Sequence, residues 1–257
     1  AVLYRMNTQS RAIEEILRRE DIPYKIVGGL KFYERKEIKD IISYLRLIQN
    51  HADNLSLNRI INEPKRGIGK TSLDNIREIA NQEGISMYEV IKQSDKYIPR
   101  IYNNTRSFVD TIEELKSLEL PVSELITQTL NKTGYTQSLK DENTVEAETR
   151  IQNLEEFLTV ANEFEKEAVD KSLNEFLNSI SLSSDTDQLE ETNDMVTLMT
   201  LHSAKGLEYE NVYIIDVNEG VMPYKKAVLE PEVEEERRMF YVGMTRAKKN
   251  LHLFSVR

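Results

Sequence analysis

The residues best suited to chemistry lie in the last quarter of the chain, where a polar turn follows an apolar run. Residues 196–200 have the β-branched and apolar side chains of a buried strand. The turn after them carries His202, Lys205, Gly206 and Glu208. Because α/β proteins place ligand-binding groups in turns that follow strands, this turn is a candidate binding site.

A second strand is predicted over residues 212–217 and a helix over residues 234–247. Three glutamates open this helix and three cations follow its apolar residues, an arrangement that suits the helix dipole. The cations are Arg246, Lys248 and Lys249. Arg246 is of chemical interest because a guanidinium is always charged and binds phosphate oxygens through a planar fork. The alternative is that Arg246 is a helix-end charge and that Glu234 pairs with Arg238.

The elements that must position these residues come from separate parts of the chain. Residues 1–28 are predicted to form a strand, a helix and a second strand, and the α/β pattern resumes over residues 194–257. Residues 29–193 instead follow the 3.6-residue period of helices, as in the apolar stripe over residues 38–48. We therefore predict an α/β fold with a parallel sheet, incomplete and discontinuous in sequence, and a large all-helical inserted domain.

Two strings of this sequence carry a resemblance to a known family. TLHSAKGLEY (residues 200–209) resembles motif V, and EEERRMFYVGMTRA (residues 234–247) resembles motif VI, of the superfamily-one DNA helicases related to UvrD, Rep and PcrA. LYRMNTQSR, GGLKFYERKEIKD and RGIGKTS resemble further segments of the same family. The resemblance covers nearly the whole chain but only about the C-terminal half of such a helicase. It implies a second RecA-like motor domain, called 2A, over residues 1–28 and 194–257, with domain 2B inserted between them.

The resemblance also implies roles for the motif residues. In the family, the motif V glutamate, here Glu208 with Gly206 near it, holds the nucleotide ribose, and the motif VI arginine, here Arg246, reaches the γ-phosphate. Arg5, Asn7 and His202 match residues that contact single-stranded DNA. The residues alone leave plainer alternatives open, which are helix capping for Asn7, an ion pair for Arg5 and a structural histidine for His202.

Lys31 is the remaining residue that the resemblance assigns to DNA binding. It lies where the inserted domain meets the strand.

A second candidate site is the basic turn over residues 65–72. It is not a phosphate loop of the G-x-x-x-x-G-K-[ST] type, because Pro64 stands where the first glycine belongs and no strand precedes it. Glycines that precede a helix, together with cations, instead suit backbone binding of DNA phosphates. The residues assigned to duplex DNA are Lys65, Arg66, Gly67, Gly69, Lys70 and Thr71. The alternative is a solvated turn between helices.

The charge is uneven along the chain, which has a net charge of −10. Residues 1–106 contain 19 Lys and Arg against 14 Asp and Glu, whereas residues 107–194 contain 6 against 21. Surface charges farther apart than a Debye length, about 10 Å at 0.1 M salt, hardly interact. A basic patch in the first segment can therefore still bind phosphate.

The composition excludes several classes of protein and site. The chain has no cysteine, hence no disulfide framework, and no signal peptide or long apolar run, so we expect a cytoplasmic protein without a membrane segment. The three histidines are far apart, so no metal site is predicted.

These observations predict a C-terminal fragment of an ATP-dependent 3′ to 5′ DNA helicase. The expected partners are single-stranded DNA, duplex DNA and the missing N-terminal motor domain, and the complete enzyme is expected to use ATP and Mg²⁺. The fragment lacks both the phosphate loop and the Mg²⁺-binding acid, so it should be inactive alone. The alternatives are a non-enzymatic module that binds DNA or a partner, and a subunit of a recombination helicase–nuclease.

Overall fold

A computed structural model describes residues 1–185, 194–225 and 227–255. The chain forms two compact units. The first, here called the α/β unit, consists of Ala1–Glu34 and the described part of residues 186–257. The second, the helical unit, is Arg35–Asp185. Elements are numbered along the whole chain as β1–β5 and α1–α12.

The α/β unit is built on a five-stranded parallel sheet with the order β2-β3-β1-β4-β5. Its strands are β1 Val2–Tyr4, β2 Tyr24–Val27, β3 Val196–Thr200, β4 Tyr209–Ile214 and β5 Ala247–Leu253. Its helices are α1 Ser10–Arg19, which joins β1 to β2, and α12 Glu230–Met244, which joins β4 to β5. The predicted α/β class and parallel sheet are confirmed.

The core of this unit lies between the sheet and α12. Buried Leu3, Met199 and Ile214 from three neighbouring strands pack with Met239 of α12. Gly243 allows the close approach, because a Cβ atom there would collide with the Leu201 side chain. The helix is thereby fixed against the residues that follow β3.

The end of the chain differs from the sequence prediction. The helix predicted over residues 234–247 runs over Glu230–Met244, with a proline in its first turn, and strand β4 begins three residues earlier than the predicted strand. Lys248 and Lys249 lie in β5, so their assignment to a helix end was wrong. The reason is pairing across the sheet: Tyr209 N–H donates to the Arg246 carbonyl, and Leu251 pairs with Val212.

The helical unit surrounds α2, Lys36–Gln49, which has ten buried residues. Its predicted apolar stripe is confirmed, because Ile38, Ile41, Leu45 and Ile48 are buried. The other helices are α3 Asn54–Ile60, α4 Lys70–Glu83, α5 Met87–Lys92, α6 Ser94–Tyr97, α7 Tyr102–Ser117, α8 Val122–Lys132, α9 Tyr135–Glu142, α10 Val145–Glu167 and α11 Leu173–Asp185. Within residues 1–185, 194–225 and 227–255, no helix is long and apolar enough to cross a membrane.

The insertion point lies later than residue 29, where we predicted it. Residues 29–34 belong to the α/β unit, where Phe32 is buried and its N–H donates to the Glu14 carboxylate of α1 at 3.3 Å. The predicted end of the insertion, residue 193, lies outside the described residues.

Candidate nucleotide and nucleic-acid sites

The motif V turn leaves the end of β3 and reaches the start of β4. Thr200 holds the start of the turn through two hydrogen bonds. Its hydroxyl accepts the Ser203 N–H at 3.2 Å, and its carbonyl accepts the Ala204 N–H at 3.1 Å. Leu201 and Ala204 are fully buried and anchor the turn. Gly206 has φ +85°, a conformation that favours glycine. The turn therefore carries His202 at the carboxyl edge of the sheet and brings its last residues to the amino edge.

Arg246 lies against the last residues of this turn. Its guanidinium donates to the Leu207 carbonyl at 3.1 Å, the Val242 carbonyl at 2.9 Å and the Thr245 hydroxyl at 3.0 Å. Leu207 lies between the two other residues that the resemblance assigns to the nucleotide. Leu207 and Arg246 are 39 residues apart in sequence, and their hydrogen bond joins the two motifs.

The nucleotide-site candidates border open surface. Glu208 is exposed and lies 3.6 Å from the Lys248 ammonium, itself exposed. A Cβ atom added at Gly206 would meet no described atom within 4 Å. The arrangement offers a planar cation, a carboxylate and an open backbone turn at the amino edge of β4 and β5. A cation suits a phosphate group and a carboxylate suits sugar hydroxyls.

Three of the residues predicted to contact single-stranded DNA lie at the opposite, carboxyl edge. Arg5 and Asn7 follow β1, and His202 follows β3, which is the neighbouring strand. The loop after β2 comes to the same edge, since a Cβ atom at Gly28 would lie 2.5 Å from the Ser203 hydroxyl. Sequence-distant residues are therefore brought together by the ends of three parallel strands.

Lys31, the fourth residue predicted to contact single-stranded DNA, lies over the ring of Tyr24, with its ammonium 5.2 Å from the ring centre. Lys31 follows Val27, the last residue of β2, so its backbone comes after the carboxyl end of that strand.

Glu236 is a further residue of the carboxyl edge, and the sequence analysis missed it. Its carboxylate accepts three hydrogen bonds from Arg5, between 2.7 and 3.2 Å, and one from the Tyr224 N–H at 3.1 Å. Only 7% of its side chain is exposed. Burial raises the pKa of Glu236, but the hydrogen bonds and charge of Arg5 outweigh burial and lower the pKa overall. Glu236 is read in sequence as one of three helix-dipole acids, so only its burial reveals it.

The pair also affects His202. Burial lowers the pKa of His202, and the positive charge of Arg5 lowers it further. His202 therefore offers a neutral imidazole at neutral pH, in which one ring nitrogen donates a hydrogen bond and the other accepts one.

Helix α12 runs between the carboxyl edge and the amino edge of the sheet. It carries Glu236 near the carboxyl edge, and Arg246 follows its last turn at the amino edge. Their separation of ten positions in sequence corresponds to about 15 Å along a helix. A shift of α12 would therefore move both groups.

The basic turn of the helical unit has an outward and an inward part. Gly69 is the N-cap residue of α4, and its position provides no side-chain cap for the helix. Lys65 and Lys70 are exposed, and neither has an ion-pair partner among the described residues. A cavity of about 400 Å³ adjoins the helix start and is lined by Asn58, Ile68 and Lys70, among others.

The inward part of the turn is Arg66. Its guanidinium donates to three backbone carbonyls and to the Tyr44 hydroxyl, all within the helical unit. Of the three cations predicted to bind phosphate here, Lys65 and Lys70 thus point to solvent whereas Arg66 does not.

No cluster of three or more His, Asp or Glu residues suited to a metal ion occurs in the part of the chain that the structure describes.

Comparison with known proteins identifies the family. The model of the UvrD-like helicase C-terminal domain matches residues 1–257. The chain is 46% identical to the ATP-dependent DNA helicase PcrA of Bacillus subtilis and 45% identical to that of Leuconostoc citreum, over 98% of this chain in both cases. It is 43% identical to PcrA of Staphylococcus epidermidis, also over 98% of its length. The chain spans 36%, 35% and 36% of these relatives. The chain therefore belongs to the UvrD-like helicase C-terminal domain family.

Proposed function

We propose that this chain forms the second motor domain, 2A, and the inserted domain, 2B, of an ATP-dependent 3′ to 5′ DNA helicase. The relatives it matches are named ATP-dependent DNA helicases. The observation that carries the proposal is the hydrogen bond from Arg246 to the Leu207 carbonyl, since it joins motifs V and VI at one surface. ATP is hydrolysed between this surface and another motor domain.

Arg246 is the residue that acts on the transferring phosphate. Negative charge shifts onto the leaving and transferring groups as the γ-phosphoryl group is displaced, so a fixed guanidinium stabilises the transition state more than bound ATP. Its three donors already sit at one edge, and phosphate oxygens replace the Leu207 carbonyl and the Thr245 hydroxyl as acceptors. Glu208 accepts from the ribose hydroxyls, and Gly206 leaves room for the nucleotide.

The Mg²⁺ ion that accompanies ATP is held by the other motor domain. Glu208, the acid that follows the Arg246 acceptor Leu207, is assigned to the ribose, and one carboxylate is a weak Mg²⁺ site without phosphate oxygens. The phosphate loop is likewise supplied from outside residues 1–257, since Gly69–Thr71 follow helix α3 rather than a strand.

Single-stranded DNA binds along the carboxyl edge of the sheet. Arg5 keeps its Nη1 group for a phosphate oxygen while Nε and Nη2 remain bound to Glu236. Asn7 and the neutral His202 contribute uncharged hydrogen bonds, and Lys31 adds positive charge where the chain enters the helical unit. Duplex DNA is bound separately, by the backbone and lysines of the 65–72 turn.

The isolated chain tests this division of labour. It is expected to release no phosphate from ATP, with or without DNA, because the phosphate loop and metal ligands are held elsewhere. Addition of the other motor domain should restore DNA-stimulated hydrolysis. DNA-stimulated phosphate release by the isolated chain that disappears in Arg246→Ala would show a complete ATP site and refute the proposal.

A further inference from the structure

Arg66 closes the end of helix α3. Its Nη1 atom donates to the carbonyls of Ile60 and Ile61, both at 3.2 Å, and of Pro64 at 3.1 Å. The last carbonyls of a helix have no partner within the helix. A single guanidinium group thus lies within hydrogen-bond distance of three carbonyl groups between the end of α3 and the basic turn, and the Ile60 carbonyl also accepts the Glu63 N–H.

The other side of the guanidinium contacts two aromatic residues of the unit's interior. Nη2 donates to the Tyr44 hydroxyl at 2.9 Å, and that hydroxyl donates to the Glu63 carbonyl at 2.5 Å. The guanidinium carbon lies 5.0 Å from the centre of the Phe108 ring. Burial raises the pKa of Tyr44 to about 12, so its hydroxyl keeps the proton that it donates.

The backbone of Arg66 is held as firmly as its side chain. Its N–H donates to the Asn62 side-chain oxygen at 2.7 Å, and its carbonyl accepts from the Asn104 side-chain amide at 2.7 Å. Gly67 follows with φ +72°, and a Cβ atom there would lie 2.8 Å from the Asn104 nitrogen. Residue 66 therefore fixes the chain direction just before the helix start at Gly69.

We propose that Arg66 is a positioning residue: it holds the 65–72 turn in the form that receives a DNA phosphate and does not itself contact DNA. This inference rests on the proposed duplex-binding function of the turn. An Arg66 side chain that turned to a phosphate would remove the donor to the Ile61 and Pro64 carbonyls, whereas the Ile60 carbonyl would keep the Glu63 N–H and the Tyr44 hydroxyl would keep the Glu63 carbonyl. Buried polar groups without partners are costly. Lysine cannot substitute, because its ammonium is a compact point charge without a planar fork.

The test measures binding of a short, fluorescein-labelled DNA duplex to the full chain over a range of salt concentrations. Each lost phosphate contact makes the plot of log affinity against log salt shallower by about 0.9. Arg66→Lys keeps the charge but loses the fork, so it should lower affinity about tenfold through loss of preorganisation, with the slope unchanged. Lys65→Gln, one residue away and exposed, is the matched control and should reduce the slope by about 0.9.

Tyr44→Phe provides a second variant, in case Arg66→Lys does not fold. It leaves the charge of Arg66 in place and removes one acceptor, so affinity should fall again at unchanged slope. Amide hydrogen exchange gives a readout without DNA: the amides of residues 67–71 should exchange faster in Arg66→Lys and Tyr44→Phe than in wild type, and at the wild-type rate in Lys65→Gln.

The outcomes separate the two proposals. Wild-type affinity in Arg66→Lys would overturn the positioning role, because it would show that the planar fork is not needed. A salt slope reduced by about 0.9 in Arg66→Gln, as in Lys65→Gln, would also overturn it, because that reduction would show a phosphate contact by Arg66. Unchanged exchange in both Arg66→Lys and Tyr44→Phe would overturn it as well. If Lys65→Gln and Lys70→Gln both bind duplex like wild type, the duplex function of the turn fails, while the exchange experiment still decides the role of Arg66.

Discussion

Arg246 lies in the α/β unit and Arg66 in the helical unit, and the sequence predicts both as phosphate ligands. Each guanidinium is bound to main-chain carbonyls in the absence of ligand. Arg246 has acceptors at the surface, since Leu207 and Thr245 are both exposed. Arg66 instead satisfies carbonyls of Ile60 and Ile61, which are fully buried.

The difference decides what each arginine can do. Arg246 can exchange the Leu207 carbonyl for a phosphate oxygen, because water can reach the exposed group that is left behind. Arg66 cannot leave its acceptors without removing the donor to the carbonyl of Ile61, which is fully buried. An arginine in a phosphate-binding motif is therefore a ligand only when its other acceptors can be solvated.

The largest effect is expected at Arg246, in the assembled enzyme with both motor domains. Arg246→Ala should lower kcat by about 10³–10⁵-fold, as for other arginine fingers. Arg246→Lys should recover little of this loss, because a point charge does not reproduce the fork. Steady-state ATP hydrolysis on saturating single-stranded DNA measures both. A lysine variant with near wild-type kcat would show that charge alone is required.

Glu208→Gln should act on binding rather than on chemistry. Ribose contacts do not change during phosphoryl transfer, so removing one weakens ground state and transition state alike. We expect an ATP dissociation constant raised about tenfold, corresponding to one hydrogen bond to a charged group, with kcat nearly unchanged. Lys248→Gln is the control, as it breaks the 3.6 Å contact with Glu208 but should leave ATP affinity intact. A large fall in kcat in Glu208→Gln would place this residue in the chemical step.

A smaller effect is expected for the two exposed lysines of the basic turn. Replacement of both Lys65 and Lys70 by alanine should make the salt dependence of duplex binding shallower by about 1.8, at about 0.9 for each contact. The fold should be unaffected, because both side chains are exposed. Fluorescence anisotropy across a salt series measures the slope. A double variant with the wild-type slope would remove these lysines from the DNA site.

The smallest effect concerns the stability of the helical unit toward acid. Burial lowers the pKa of His51 below its ordinary 6.5, the charge of Lys116 acts in the same direction, and Glu113 opposes both. The native state thus disfavours a proton that the unfolded chain takes up at about pH 6.5, so stability should fall as pH drops through that value. The His51 Nε2 atom is buried and has no hydrogen-bond partner among the described residues, which agrees with a neutral ring.

His51→Phe should reduce this loss, measured as the change in urea midpoint between neutral and mildly acidic buffer. Its ring can keep the contact with Tyr88, whose ring centre lies 4.1 Å away. His252→Phe, at an exposed position, is the control and should behave like wild type. An unchanged acid response in His51→Phe would assign the pH dependence to other groups.

Local pattern predicted much of the fold, and tertiary pairing explains the misses. The composition of Val196–Thr200 suits a buried strand wherever it occurs, and the apolar stripe of α2 follows directly from a helical period. Strand β5 was missed because Lys248 and Lys249 were interpreted as a helix end, whereas their conformation depends on pairing with β4. An edge strand that is exposed along most of its length carries no apolar signal.

The candidate site residues also divide into those that local motifs predict and those that depend on tertiary contacts. Motifs predict Arg246 and Glu208 as nucleotide-binding residues, and the structure adds that Arg246 donates to the carbonyl of Leu207, which precedes Glu208 in sequence. The role of Glu236 could not be found, since its partner Arg5 lies 231 residues away. Arg66 was assigned to DNA from its charge, the glycines beside it and the resemblance of its turn to the family. Its partners Tyr44 and Asn104 could not be predicted, because they come from helices that local spacing does not connect to it.

The most direct test of this account separates nucleotide binding from chemistry at Arg246. ATP dissociation constants and single-turnover hydrolysis rates are compared for wild type, Arg246→Ala and Arg66→Lys in the assembled enzyme on saturating single-stranded DNA. We predict that Arg246→Ala binds ATP within about tenfold of wild type but loses about 10³–10⁵-fold in hydrolysis rate, whereas Arg66→Lys matches wild type in both. Near-normal single-turnover hydrolysis in Arg246→Ala would make Arg246 a helix-end charge and contradict the central claim.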